Sequence, residues 1–344
     1  NPLVSVVMPA YKGVYLMDAL ESLQRQTYRP LELIICDDAR SDEVQDVVDA
    51  FRPFADFPIQ YHRNETRLWE TRSTARAVAL ASGEYVKILH DDDMLHPDCI
   101  ASLVAVMQDD SGIAIASSRR RRVDEEGNPL PDTLATVYPF RDDVVINGED
   151  LISFLADHTI NFIGEPSTVL CRRSDLLDFG DELSVINSVR VTWVADLALY
   201  VKLFKRGHLA MLARPLTDFR VSRDQFSQLG RDKPGVGDKG HQDFRQGIRD
   251  LGWYRSGTKT RMVQVAPITR LKTRVFKPLD ILSAIYKAAG QSGTPLSAWL
   301  AAREPSPEQM SLIEQRLQSH DGGPRFGVVL LDRTADVHAL ERSL

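Results

Sequence analysis

Three carboxylates in a row, Asp91-Asp92-Asp93, follow directly on the apolar run Tyr85-Val86-Lys87-Ile88-Leu89-His90. Consecutive carboxylates repel one another where water is scarce, so a cation or water has to compensate them. A hard divalent ion such as Mg2+ or Mn2+ takes few protein carboxylates and fills its shell with phosphate oxygens and water. The cluster therefore suits a metal–diphosphate complex. A helix N-cap ahead of Pro97 would account for one aspartate, not three. Asp37-Asp38 closes a second β-rich run, Leu31 to Cys36. A carboxylate there can accept the imide N–H of uracil or thymine, or make an Asx turn. Pro9-Ala10-Tyr11 closes a third run, Val4 to Met8, and Tyr11 offers an aromatic face on which a base can stack. Asp196 stands alone in the apolar stretch Trp193-Val194-Ala195-Asp196-Leu197. Apolar surroundings raise a carboxyl pKa and suit it to general-base work, and at a helix start it can also act as a cap.

The elements that must position these residues alternate along the first half. Strand signals at Val4–Met8, Leu31–Cys36, Ile59–His62, Tyr85–His90 and Ile113–Ser117 are separated by helix signals. Leu16, Leu20 and Leu23 recur at helical spacing, Ser41 to Phe51 reads as a helix capped by Ser41, Glu70 to Ala81 as another, and Pro97 starts a fourth. Such alternation predicts an α/β fold with a mostly parallel sheet flanked by helices. Ligands of such sheets bind at the carboxyl ends of the strands, which puts all three polar clusters on one rim. The second half is less regular. It holds a loop, Phe162 to Leu170, that feeds a strand, and an amphipathic helix, Thr192 to Arg206. Two more helical stretches are expected near His241–Leu251 and Lys277–Ala289. The basic run Arg119 to Arg122 reads as a solvated strand end, and Gly230 to Gly240 as a mobile connection.

The chain has 344 residues, enough for about two domains. Lys plus Arg is 42 against 48 for Asp plus Glu, a net charge of −6, so no nucleic-acid partner is expected. No apolar run is long enough to span a bilayer. Cys36, Cys99 and Cys171 are far apart and fit no metal spacing, which reads as buried free thiols in a reducing, cytoplasmic compartment. The chain begins at Asn1 rather than Met, as a module of a longer protein would.

Over residues 3–225 the chain resembles the family 2 glycosyltransferases of the GT-A, Rossmann-like fold. The resemblance is carried by Val4-Ser5-Val6-Val7-Met8-Pro9-Ala10-Tyr11, Ser22-Leu23-Gln24-Arg25-Gln26-Thr27-Tyr28, Leu31 to Asp38, Ala81-Ser82-Gly83-Glu84-Tyr85-Val86, and Leu89 to Leu95 in that order. It implies inverting transfer of a sugar from a nucleotide diphosphate donor, a UDP- or dTDP-sugar, to an acceptor hydroxyl in bacterial polysaccharide or glycoconjugate synthesis at the cell envelope. Position by position, Pro9, Ala10 and Tyr11 would line the nucleotide pocket and Asp38 would hold the base. The metal motif falls on Asp91-Asp92-Asp93, with Asp92 as the principal ligand of Mn2+ or Mg2+, Asp91 reaching the ribose or sharing the metal, and Asp93 in support. Asp196 would be the catalytic base. Glu165, in the acceptor-side loop Gly164-Glu165-Pro166, would either bond a sugar hydroxyl or serve the loop itself.

The sequence also departs from the family pattern. Ser73-Thr74-Ala75 stands where Ala-Arg-Asn is common, so Arg67, Arg72 or Arg76 would meet the diphosphate. Ser222 stands where a metal-binding His is frequent, and Ala195-Asp196 where Glu-Asp is.

Residues 1–230 are expected to form the catalytic domain, 231–302 a basic helical extension, and 303–344 a linker and the start of a second domain. Ile268, Leu271 and Val275 among the basic residues of 255–277 suggest an amphipathic helix. That helix would either touch an anionic membrane surface through 255–289 or pack on the catalytic domain. A lipid-linked, protein-linked or free glycan would be the acceptor. Two other readings stay open on the residues alone, a nucleotidyltransferase and a non-catalytic sugar-binding module.

Overall fold

The structure, a computed structural model, describes residues 1–223, 225, 236–256, 260–269 and 274–291. In chain order the elements are β1 (Val4–Ala10), α1 (Leu16–Gln24), β2 (Leu31–Asp37), α2 (Glu43–Phe51), β3 (Ile59–Arg63), α3 (Trp69–Leu80), β4 (Tyr85–Ile88), β5 (Met94–Leu95) and α4 (Cys99–Asp109). There follow β6 (Ile113–Val123), β7 (Pro129–Leu130), β8 (Val144–Ile146), α5 (Gly148–His158), β9 (Leu170–Arg172), α6 (Arg173–Leu177), β10 (Val185–Ile186) and β11 (Val189–Arg190). The remaining elements are α7 (Ala195–Phe204), β12 (His208–Arg220), α8 (Val236–Asp250), β13 (Met262–Pro267), β14 (Lys277–Asp280) and α9 (Ile281–Gln291).

Every residue of β1 and β2 is buried, which is why both read as continuous apolar runs rather than alternating ones. The strands β3, β2, β1 and β4 pair in parallel in that order, with Val7 opposite both Ile34 and Ile88. Beyond β4 the sheet becomes mixed. The short β9 runs antiparallel to both β4 and β6, and β6 then pairs in parallel with the long β12. The far edge is β8, β13 and β14, each antiparallel to its neighbour. The sheet thus runs β14-β13-β8-β12-β6-β9-β4-β1-β2-β3, with β5 on β12 and β7 on β6.

Alternate side chains of the central strands feed two cores, one on each face. Val4, Val6, Met8, Leu33 and Ile35 pack with Leu20 and Leu23 of α1, Val48 of α2 and Leu103 of α4. Val7, Ile34, Cys36, Val86 and Ile88 pack on the other face with Val78 of α3, Phe154 of α5 and Leu203 of α7. Each such side chain, fully buried, contributes about 1.5–3 kcal/mol. The three cysteines are free and buried among them.

The first five strands and the helices between them lie where the alternation predicts. The α2 helix is preceded by Asp42 rather than Ser41 as its N-cap, and β4 ends at Ile88, two residues before His90. The larger difference is in the tail. Within the basic stretch 255–277, where Ile268, Leu271 and Val275 suggest an amphipathic helix, Met262–Pro267 form β13, Leu271 lies outside the described residues, and Lys277–Asp280 form β14 ahead of the α9 helix. β13 pairs with β8, so the main sheet extends past residue 230. The physical reason is that β8 presents an open edge, and Val263 and Ala266 fill the core beside it. Of the expected mobile connection, residues 236–240 belong to α8; the rest, and the whole of 303–344, lie outside the described residues. No described helix is long and apolar enough to cross a membrane.

Candidate active site

Strands β1, β2 and β4 run parallel and end at one rim, where they deliver Tyr11, Asp38 and the three aspartates. Pro9 and Ala10 are buried inside β1 and only Tyr11 emerges, 41% exposed. The Ala10 carbonyl instead accepts the Asp38 amide at 2.8 Å, which zips the ends of β1 and β2 together.

Two of the acidic residues at the rim hold backbone. Asp91 Oδ2 accepts the amides of Tyr11 at 2.6 Å and Lys12 at 2.7 Å, fixing the turn after β1. Burial and the Asp92 charge push its pKa up to about 6 against those two bonds. Asp38 is buried. Its Oδ1 accepts from Asn64 Nδ2 at 2.9 Å and from the Leu68 amide at 2.8 Å, and its Oδ2 accepts the Trp69 amide at 2.7 Å. The expected base-reading carboxylate is therefore engaged with the segment between β3 and α3.

A donor set for a cation remains. His90, Asp92 and Asp93 each offer one ligand atom within 4.8 Å of the others. Asp93 is fully buried; its Oδ1 accepts the Arg220 amide at 3.0 Å, while its Oδ2 has no hydrogen-bond partner among the described residues. Burial and the Asp92 charge raise the Asp93 pKa to about 8. Burial works to lower that of His90, but Glu70, Asp93 and Asp92 hold it up to about 10, with Glu70 Oε1 3.3 Å from Nε2. An orphaned buried carboxylate oxygen beside a second carboxylate and an imidazole fits a divalent ion of the Mn2+ or Mg2+ type. Binding such an ion would favour ionised carboxylates and a neutral imidazole. Asp92 and Asp93 thus fall in the set, whereas Asp91, expected to share the metal or reach the ribose, is tied to the β1 turn. His90 was missed as a candidate because it ends an apolar run; its position directly before the aspartates was the available signal.

Arg220, at the end of β12, braces the set from below. It donates to the Asp92 carbonyl at 3.0 Å and to Asp18 at 2.7 Å, and lies 4.4 Å from the Tyr15 ring centroid.

Asp196 sits in the first turn of α7. Its Oδ1 accepts the Leu197 amide at 2.8 Å and its Oδ2 accepts from Asn161 Nδ2 at 2.5 Å. The Asn161 side-chain Oδ1 accepts the Gly164 amide at 3.1 Å, so its NH2 end must face Asp196. Tyr200, one turn further along α7, donates to the Gly164 carbonyl at 2.8 Å. Burial, with the charges of Glu165 and Glu70, pushes the Asp196 pKa up to about 7 despite the Leu197 amide and Arg120. Asp196 and Glu70 line one small cleft together with Thr71, Pro166 and Ala195. Through Glu70 and His90, that cleft adjoins the carboxylate set.

The arginines separate clearly. Arg72 reaches toward Asp181 at 3.8 Å, and Arg76 is held by Asn64 Oδ1 and the Arg63 carbonyl. Arg76 thus stands behind Asn64, which itself bonds Asp38, while Arg67 is stacked on Tyr11 at the rim. Arg120 is buried rather than solvated, because alternate residues of β6 face opposite sides of the sheet. Its Nε lies 2.6 Å from Glu165 Oε2, and it donates to the carbonyls of Ala135 at 2.6 Å and Asn161 at 2.8 Å. Glu165 is thereby a partner of Arg120 in this loop. Asn161 carries no sequence signal of its own beyond the polar break before Phe162.

Residues 5–165 match the family described as Glycosyl transferase family 2. Among curated proteins, the chain is 32% identical over 139 residues to the abequosyltransferase RfbV of Salmonella typhimurium, covering 39% of this chain and 42% of that protein. It is 28% identical over 129 residues to the glycosyltransferase GlyG of Streptococcus pneumoniae, covering 37% of this chain and 42% of that one. The chain thus spans about two fifths of the length of these two relatives. Among solved structures, the mannosyltransferase PcManGT from Pyrobaculum calidifontis, in complex with GDP-Man and Mn2+, superposes with a TM-score of 0.52 at 15% identity, covering 92% of this chain and 80% of that one. Over residues 5–165 the sequence thus resembles glycosyl transferase family 2, and the fold is that of the GT-A glycosyltransferases.

Proposed function

We propose that the chain is the catalytic part of an inverting glycosyltransferase that moves a sugar from a UDP- or dTDP-sugar to an acceptor hydroxyl in polysaccharide or glycoconjugate synthesis. The observation that carries the reading is Asp196, a carboxylate raised to about 7, sharing a cleft with Glu70 beside the His90–Asp92–Asp93 set. A base poised near neutral pH is matched to taking a proton from a sugar hydroxyl. The other carboxylates facing Asp196 are occupied, Glu165 by Arg120 and Glu70 by His90, which leaves Asp196 to accept that proton. Asn161 holds the receiving carboxylate in place, and Tyr200 holds the Gly164 loop against it.

In this reading the acceptor oxygen attacks the anomeric carbon as its proton passes to Asp196, while the bond to the diphosphate breaks on the opposite face. One displacement of this kind inverts the anomeric centre and needs no covalent intermediate on the protein. A divalent ion held by Asp92, Asp93 and His90 would supply charge neutralisation for the departing diphosphate. Asp91 and Asp38 would act indirectly, by fixing the Tyr11 turn and the 64–69 segment that shape the nucleotide pocket.

The test is release of UDP or dTDP from the corresponding sugar nucleotides, with Mn2+, by the wild-type chain and by Asp196→Asn and Asp92→Ala. Expected is metal-dependent release lost in Asp92→Ala, and acceptor-dependent transfer lost in Asp196→Asn with donor binding retained. Undiminished transfer in both variants would overturn the assignment.

A further inference from the structure

The Arg67 guanidinium lies between two exposed aromatic rings. Its central carbon is 4.3 Å from the centroid of Tyr11 and 3.8 Å from that of Trp69. The two rings can be no further apart than those two distances combined, a slot for one planar group. Tyr11 is 41% and Trp69 59% exposed, so neither earns its place by filling the core.

Each ring is held by a carboxylate acting on its backbone. Asp91 takes the Tyr11 amide, and Asp38 takes the amides of Leu68 and Trp69. Trp69 has φ 63°, in the left-handed region that bulky residues rarely adopt, and the two Asp38 bonds hold it there. A large aromatic kept exposed in an unfavourable backbone conformation points to a task outside folding. Arg67 makes no salt bridge among the described residues, and its Nε is buried without a hydrogen-bond partner. Its contacts to the two ring faces hold it in the slot.

We propose that Tyr11 and Trp69 form a two-sided clamp for the nucleobase of the donor, with Arg67 as its placeholder. The base enters by displacing the guanidinium, which is then free to turn toward the diphosphate beside Asp91. Trp69 is thereby a binding residue of this chain, and recognition of the base runs through its flat face, since the Asp38 oxygens are already engaged. The inference rests on the nucleotide-donor reading above and adds to it the second wall of the pocket.

The experiment is titration of UDP, with Mn2+, into the full chain and its variants, followed by calorimetry and by tryptophan fluorescence. UDP should quench the emission of the wild type. Trp69→Phe should keep the affinity within about threefold and lose most of the quench, whereas Trp69→Ala should weaken binding about tenfold or more. Arg67→Ala should weaken UDP about fivefold yet leave uridine, measured by competition, no weaker than in the wild type. Thermal melting confirms that each variant is folded. A wild type that binds UDP while Trp69→Ala binds it equally well overturns the clamp alone. Equal weakening of uridine and UDP by Arg67→Ala overturns the placeholder role. A wild type that binds neither UDP nor dTDP overturns the donor reading and the clamp with it.

Discussion

Asn161 and Asp196, 35 residues apart in sequence, meet at 2.5 Å, with the amide of one aimed at the carboxylate of the other. That bond stabilises the ionised form of a carboxyl that burial otherwise drives toward the neutral one. Asn161→Ala should therefore raise the Asp196 pKa further. The acidic limb of kcat/KM, expected near pH 7 in the wild type, should move to higher pH while the plateau above it changes less. An unshifted limb would separate Asn161 from the base.

Asp196 also gives a stability prediction of definite sign. Its folded pKa of about 7 lies above the ordinary value of 3.8, so the native chain holds a proton that the unfolded chain has lost between these values. The contribution is full below about pH 4 and is lost as pH rises through 7. Asp196→Asn, which cannot ionise, should melt higher than the wild type at pH 8, with the difference vanishing at pH 4. Transfer activity should fall by about 10²–10⁴ in the same variant.

The Arg120–Glu165 pair should behave as a buried ion pair, since Arg120 is only 2% exposed. Glu165→Ala leaves the guanidinium without its charge partner and should cost about 3 kcal/mol in chemical denaturation. Arg120→Met combined with Glu165→Leu should be milder than either single change. A neutral Glu165→Ala would return Glu165 to the acceptor side.

Mn2+ should raise the melting temperature of the wild type, because an ion that binds only the folded chain stabilises it by mass action. Asp92→Ala and His90→Ala should each abolish most of that shift. An unchanged shift in His90→Ala would remove the imidazole from the donor set.

Gly164 has φ 124°, and a Cβ there would lie 2.6 Å from Thr168 Cγ2 and 2.8 Å from Thr168 Cβ. Gly164→Ala should destabilise the chain by about 1–3 kcal/mol and reduce kcat, because the displaced loop carries the amide that orients Asn161. Wild-type turnover in that variant would show that the loop can shift without consequence.

By itself the sequence determined the strand–helix alternation of the first half and the rim on which its acidic clusters meet. Those features are local: runs such as Val4–Ala10 and Leu31–Asp37 are apolar because both faces of the strand are covered, and the polar residues begin where the strand ends. Tertiary structure decided what each carboxylate does. Asp91 meets amides 79 and 80 residues away, Asp38 meets amides 30 and 31 residues away, and Glu165 meets an arginine on another strand. The same holds for β13, whose fate was set by the open edge of β8 rather than by the basic residues around it. A carboxylate's type and spacing fix its charge and its reach, but its pKa and its role depend on the donors and the burial that distant segments bring to it.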